Sequence, residues 1–191
     1  MAETPSTMLP LGTPLPPFRL ADAVTGRPVD GAELAQGKKG LVVAFICNHC
    51  PYVKHIRAEL VRASHEALDQ GLAVVAINSN DEASFPQDGP AAMKQLAAAE
   101  GWRFPFLFDQ TQEVARAFRA VCTPDLFVFD AGLRLAYRGQ FDDSRPSLPR
   151  AVTGSSLRAA IGAVAAGKAP GPEQRPSVGC NIKWKPGKGP A

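Results

Sequence analysis

Two six-residue runs without a polar side chain, 41–46 (Leu41, Val42, Val43, Ala44, Phe45, Ile46) and 72–77 (Leu72, Ala73, Val74, Val75, Ala76, Ile77), constrain this chain more than any other feature. Runs so short and so continuously apolar read as strands buried on both faces, as in parallel sheets. Between them Val53, Ile56, Leu60, Val61 and Leu68 recur at roughly helical spacing, and Gly71 supplies a stop. A helix between two such strands is a βαβ unit with parallel strands and a right-handed crossover. The expected class is α/β, a central mixed sheet flanked by helices.

The first run ends in Cys47-Asn48-His49-Cys50-Pro51, so a CxxC pair sits at a strand-to-helix junction. The first turn of a helix has unpaired N–H groups and the positive end of the dipole, both of which favour a thiolate. Cys47 is expected to head that turn with its sulfur outward, and Cys50 to lie beneath it, nearer the core. Such a pair can open a mixed disulfide and resolve it. A cationic His49 beside the sulfurs would favour the Cys47 thiolate and make the couple more oxidising. Pro51 loses no intrahelical N–H bond in the first turn. A CxxC can also be half of a zinc site, but a second CxxC or CxxH pair is absent, and no metal is assigned.

The 191 residues, 45% hydrophobic and 20% charged, suit one domain with a full core plus trailing segments. The net charge of +3 is carried by scattered Lys and Arg with few interleaved aromatics, so no nucleic-acid partner is expected. The start Met1-Ala2-Glu3-Thr4-Pro5 lacks a basic, apolar leader, and no run approaches the ~20 apolar residues of a membrane span. A soluble, cytoplasmic protein without a membrane partner is expected. Four cysteines do not make a disulfide scaffold, which points to catalytic sulfur; no cofactor is assigned.

Along the chain, residues 1–17 carry Pro5, Pro10, Pro14, Pro16 and Pro17 and read as an extended arm. Residues 18–168 form the domain. Residues 18–22 and 29–34, joined by the turn Thr25-Gly26-Arg27-Pro28, suggest a β-hairpin. Asn78-Ser79-Asn80-Asp81 is a polar loop on the sheet edge that carries Cys47, open to a ligand-binding or a turn-forming role. A helix begins at Asp88-Gly89-Pro90, a strand covers 104–109, and a helix over 111–118 takes Thr111 as its N-cap. Pro124 opens a strand through Asp130, which pairs with 133–139. The loop at 141–146 is expected on the surface, held by Asp–Arg pairing, and Ser155 or Ser156 is expected to cap the last helix. Residues 169–191 form an irregular Pro-rich tail, in which Val178, Cys180, Ile182 and Trp184 alternate and dock onto the domain.

This order of elements resembles the thioredoxin fold. The lead-in from Pro17 to Asp22 with Gly26 resembles the redoxin branch related to AhpC/TSA, and the similarity is greatest to peroxiredoxin-like thioredoxin-family proteins. It is carried by segments 45–54, 76–81, 122–130, 137–146 and 179–185. The resemblance implies that Pro124 is a cis-proline facing the dithiol, that the Thr123 backbone pairs with an incoming substrate chain, and that Cys122 lies close to the site. Two departures bear on activity. Where peroxiredoxins have a Pro and a Thr before the reactive cysteine, aligned here with Cys50, this chain has Val43 and Cys47. The buried carboxylate of thioredoxins corresponds to Leu41, which leaves His49 as a substitute base.

The expected function is thiol–disulfide oxidoreduction: Cys47 and Cys50 exchange electrons, His49 tunes them, Pro124 shapes the groove, and Thr123 and Asn48 bind substrate. Partners would be protein or small-molecule disulfides and a cellular thiol reductant. Two alternatives remain open, a thiol peroxidase acting on peroxide and a copper or zinc carrier using the cysteines with His49 or His55. Cys122 and Cys180 are candidate additional redox thiols, although burial of Cys180 as a small hydrophobe is favoured.

Overall fold

The computed structural model describes residues 3–189. The first apolar run forms β4 (Gly40–Phe45) and the second β5 (Ala73–Asn78), paired in parallel with Leu41 opposite Ala73 and Phe45 opposite Ile77. Side chains alternate along a strand, so Val42 and Ala44 enter one apolar cluster while Leu41, Val43 and Phe45 enter another. Neither strand has a solvent face, which is why neither run carries a polar residue. Between them α2 (Pro51–Asp69) buries Val53, Ile56, Leu60, Ala63 and Ala67 and ends where Gly71 takes φ +92°, a conformation that disfavours residues with a Cβ.

The remaining elements are β1 (Thr4–Pro5), β2 (Arg19–Asp22), β3 (Pro28–Asp30), α1 (Gly31–Ala35), a 3₁₀ turn (Pro86–Asp88), α3 (Pro90–Ala99), β6 (Phe106–Phe108), α4 (Glu113–Ala117), β7 (Cys122–Thr123), β8 (Asp125–Asp130), β9 (Leu135–Gly139), α5 (Ser155–Ala165) and β10 (Val178–Asn181). A seven-stranded mixed sheet runs β3-β2-β6-β5-β4-β8-β9, and a separate antiparallel sheet runs β1-β10-β7. Residues of α2, α3 and α5 pack on one face of the large sheet. The other face is covered by α1, α4, Leu9 and Ile182. The Thr123–Pro124 peptide is cis, and Asp125 just beyond it forms a fully buried ion pair with Arg138 at 3.0 Å. The same guanidinium reaches Thr7 in the N-terminal arm.

Several local expectations are corrected. The hairpin returns only through β3, because Asp30 Oδ1 accepts from the Ala32 and Glu33 N–H groups and starts α1. Gln112, turned left-handed, and not Thr111 is the N-cap residue of α4; the Thr111 hydroxyl accepts from the Glu113 N–H, and the Asp109 carboxylate takes the Val114 and Ala115 N–H groups. Neither Ser155 nor Ser156 caps α5; Gly154 is the N-cap residue, and Asp142 accepts from the Thr153 and Gly154 N–H groups. Asp142 is therefore buried, and the Asp–Arg pair that the loop does form is Asp143 with Arg150, while Arg145 donates to backbone carbonyls and Gln140. The tail is not wholly irregular, since β10 is the central strand of the small sheet.

Candidate functional site

The helix following the CxxC starts at Pro51, so Cys50, not Cys47, occupies the N-cap position. The groups that lower its thiol are the neighbouring Cys47 and Cys180 thiols and the backbone N–H groups of Val53 and Cys180. The Cys47 hydrogen bond is the largest influence, and against the opposing effect of burial the set draws Cys50 down to about 5. Cys50 Sγ also lies 3.2 Å from the Thr123 carbonyl oxygen, a contact that suits its protonated form. Cys47 moves the other way, held well above the usual thiol range by its hydrogen bond to Cys50, then by burial and by the Asp88 carboxylate. The Thr123 hydroxyl, 3.5 Å from Cys47 Sγ, only partly offsets this. The outward orientation expected of Cys47 is thus corrected: it is 1% exposed, and its surroundings raise its thiol while those of Cys50 lower the neighbouring one.

A consequence is measurable. The thiolate ultraviolet absorbance of the reduced protein should titrate with a midpoint of about 5 and vanish in Cys50→Ser. An unfolded thiol titrates near ~8.5, so the stability contributed by Cys50 is full above that value and is lost as the pH falls through about 5. Denaturant midpoints compared with Cys50→Ser across that window test the sign. A single ordinary thiol titration would refute the assignment.

The imidazole next to Cys47 is not isolated but hydrogen-bonded to a carboxylate. His49 Nδ1 is 2.5 Å from Asp88 Oδ2 and 3.9 Å from Cys47 Sγ. An ionised carboxylate only accepts, so Nδ1 donates in this contact. Asp88 is fully buried and also accepts from the Asn48 and His49 backbone N–H groups and from Asn80 Nδ2. Asn78 Nδ2 binds the Asp88 carbonyl, so the loop at 78–81 braces Asp88. The His49 ring stacks on Phe85 at 5.0 Å, and Lys183 Nζ lies over the other aromatic at 5.8 Å.

Asp88 is the residue that sequence reasoning missed; it had been read only as the start of a helix. The signal available was the polar loop 78–81 on the Cys47 edge, a surface in need of a partner. Asn48 is beside the site, with its side-chain oxygen buried and unpaired. Thr123 is present but its role changes. Its backbone is already paired with Cys180 of β10, so the edge expected to receive a substrate chain is filled by the protein's own tail. Cys122 is fully buried and pushed up by desolvation and Asp125, the state of an inert core thiol. Cys180 is 2% exposed, as expected for the docked tail, yet in contact with Cys50.

Cys47 Sγ, His49 Nδ1 and an Asp88 oxygen lie within 4.8 Å of one another and could in principle hold a cation. His55 is not among them and instead meets Ser144 Oγ at 3.1 Å. The pocket beside Pro124, bordered by Tyr52, His55 and Val178, holds only about 20 Å³, the space of a single water. Among the described residues no helix is long and apolar enough to cross a membrane.

The AhpC/TSA family profile matches residues 11–138. An uncharacterized conserved protein of Geobacillus kaustophilus is similar over 97% of this chain and 98% of its own, with 47% identity and a TM-score of 0.94. A hypothetical protein of Sinorhizobium meliloti shares 47% identity over 96% of this chain and 100% of its own, with a TM-score of 0.93. A thiol:disulfide interchange protein of the thioredoxin family from Chlorobium tepidum aligns over 83% of this chain and 99% of its own at 20% identity, with a TM-score of 0.61. No curated protein matches. The mixed sheet with flanking helices is a thioredoxin-like fold, as the order of elements in the sequence implied.

Proposed function

Because the chain belongs to the AhpC/TSA family, we propose that it is a thiol–disulfide oxidoreductase working through a Cys47/Cys50 dithiol–disulfide couple. Membership of a thioredoxin-like redoxin family supports thiol or peroxide redox chemistry in general. What supports the narrower reading is the placement of the two sulfurs: Cys50 sits at the N-cap of α2 with Cys47 three residues before it, and both lie against Thr123, Cys50 Sγ at 3.2 Å from its carbonyl oxygen and Cys47 Sγ at 3.5 Å from its hydroxyl. A buried dithiol becomes a disulfide by giving up two electrons, together with the protons it holds, to a disulfide substrate that leaves as two thiols, and oxidation discharges any buried thiolate.

In this reading the ionised Cys50 is the better nucleophile and Cys47 is its proton-bearing partner. His49 and Asp88 are positioning residues that hold the CxxC turn, and Pro124 with Thr123 closes the other side. With the pairing edge of Thr123 taken by β10, the fitting substrates are low-molecular-weight disulfides rather than extended polypeptides, with a cellular thiol as the reductant. Access to either sulfur requires the His49–Phe85 stack or β10 to move, because both cysteines are buried.

One observation favours a peroxidase as second reading: the low-lying thiolate is Cys50, the position aligned with the reactive cysteine of peroxiredoxins. A single experiment separates the two. Oxidation by glutathione disulfide followed by peptide mapping should reveal a Cys47–Cys50 disulfide in wild type, and Cys47→Ser and Cys50→Ser should each lower turnover of a small aromatic disulfide at least about a hundredfold. Fast peroxide consumption without disulfide turnover would favour the second reading, and absence of the Cys47–Cys50 linkage in both wild type and Cys180→Ala would remove the first.

A further inference from the structure

Three of the four cysteines meet at one point. Cys50 Sγ lies 3.2 Å from the Thr123 carbonyl oxygen, and Thr123 pairs with Cys180 across β7 and β10. That register sets Cys180 opposite the residue whose carbonyl touches Cys50, and Cys47, Cys50 and Cys180 lie in one buried cluster. Cys122, the fourth, turns instead toward the Pro124 carbonyl.

The placement of Cys180 is built rather than incidental. Its neighbour Gly179 allows the chain to pass against Thr123, where a Cβ would overlap the Thr123 carbonyl. The strand is fixed on both sides of Cys180: Gly179 pairs with Thr4, Ile182 N donates to the Val121 carbonyl, and Lys183 N donates to Asn80 Oδ1. A small hydrophobe needs only an apolar hole, not main-chain registration against the residue that touches Cys50.

We infer that Cys180 is a third redox thiol, which takes Cys50 over from Cys47. The Cys180 sulfur attacks Cys50 Sγ of the Cys47–Cys50 disulfide. A Cys50–Cys180 bond forms as the Cys47–Cys50 bond breaks, and the electron pair leaves on the Cys47 sulfur, which takes up the proton that Cys180 gives up. One disulfide is exchanged for another within the chain, so no further oxidant is consumed. The step rests on the Cys47/Cys50 couple proposed above, which supplies the first disulfide.

The charges put the steps in order. In the reduced protein burial, followed by the neighbouring Cys50 sulfur, pushes Cys180 up to about 12, so it stays a proton donor. Once Cys50 enters a disulfide its charge is gone, while Lys183 and the Tyr52 N–H, which favour a Cys180 thiolate, remain. Oxidation of the pair therefore removes one of the influences that hold Cys180 protonated, while burial remains. The product ties β10 to the start of α2 and returns Cys47 as a thiol beside the Thr123 hydroxyl.

The test is oxidation of the full chain with diamide, acid quenching, alkylation and peptide mapping of wild type, Cys47→Ser and Cys180→Ala, with circular dichroism to confirm that each variant is folded. Oxidised Cys47→Ser is expected to give one peptide linking Cys50 to Cys180. In oxidised wild type a share of Cys47 is expected to be alkylated, and that share should fall at least about tenfold in Cys180→Ala, where only the Cys47–Cys50 bond is available. A Cys47–Cys50 disulfide in wild type with no Cys50–Cys180 linkage in Cys47→Ser overturns the relay alone. Absence of both linkages overturns the relay together with the proposed couple.

Discussion

Asp88→Ala is expected to destabilise the protein by about 3–5 kcal/mol, measured by urea unfolding of the reduced form. The carboxylate is fully buried and accepts from two consecutive backbone N–H groups, from the His49 ring and from the Asn80 amide. Removing it strands these donors around a cavity, and each unsatisfied buried donor costs about 1–3 kcal/mol. The second effect is chemical. Asp88 is one of the groups that keep Cys47 protonated, so its loss should lower the Cys47 pKa and speed Cys47 alkylation at neutral pH. Asp88→Asn separates the two, since it removes the charge but keeps an oxygen for the Asn48 and His49 N–H groups. It should share the change in Cys47 reactivity with a smaller stability loss. A wild-type urea midpoint and unchanged alkylation in Asp88→Ala would show that the clamp does not hold the turn.

Gly179→Val is expected to detach β10 from β7 and to raise the rate of insulin reduction several-fold over that of the wild type. The new Cβ would overlap the Thr123 carbonyl and crowd Pro124 Cδ. Backbone cannot yield as a flexible side chain does, so the strand must move away, at a stability cost on the order of 1–3 kcal/mol or more. Freed of Cys180, Thr123 regains an unpaired edge to which a polypeptide can add. Reduction of a small aromatic disulfide should be retained, because Cys47 and Cys50 are not altered. Faster amide hydrogen exchange at 178–181 would confirm detachment. Detachment without any gain on insulin would show that β10 is not what excludes protein substrates.

The success and failure of sequence reading divide along the same physical line. The runs at 41–46 and 72–77 state their strands outright because a strand without a solvent face tolerates no polar residue. The helix after them is readable from its spacing, and its stop from Gly71. Caps were less legible: at α4 and α5 the residues adjacent in sequence looked sufficient, but Asp109 and Asp142 reach the N–H groups from outside the helix. The protonation order of the two cysteines was misjudged for a related reason. A helix dipole and a neighbouring histidine are visible locally, whereas Asp88, 40 residues on from Asn48, and Cys180 are not.

The sequence by itself determined the βαβ core, the position of the dithiol at a strand-to-helix junction and the docking of the tail, since each follows from periodicity or from residues within a few positions of one another. Only the tertiary structure decided that both sulfurs are buried, that Asp88 binds the His49 ring, and that β10 fills the edge beside Pro124. Those outcomes depend on hydrogen bonds and charges supplied by distant segments, and the strength of such contacts is set by burial and distance in space, quantities that the order of residues does not carry.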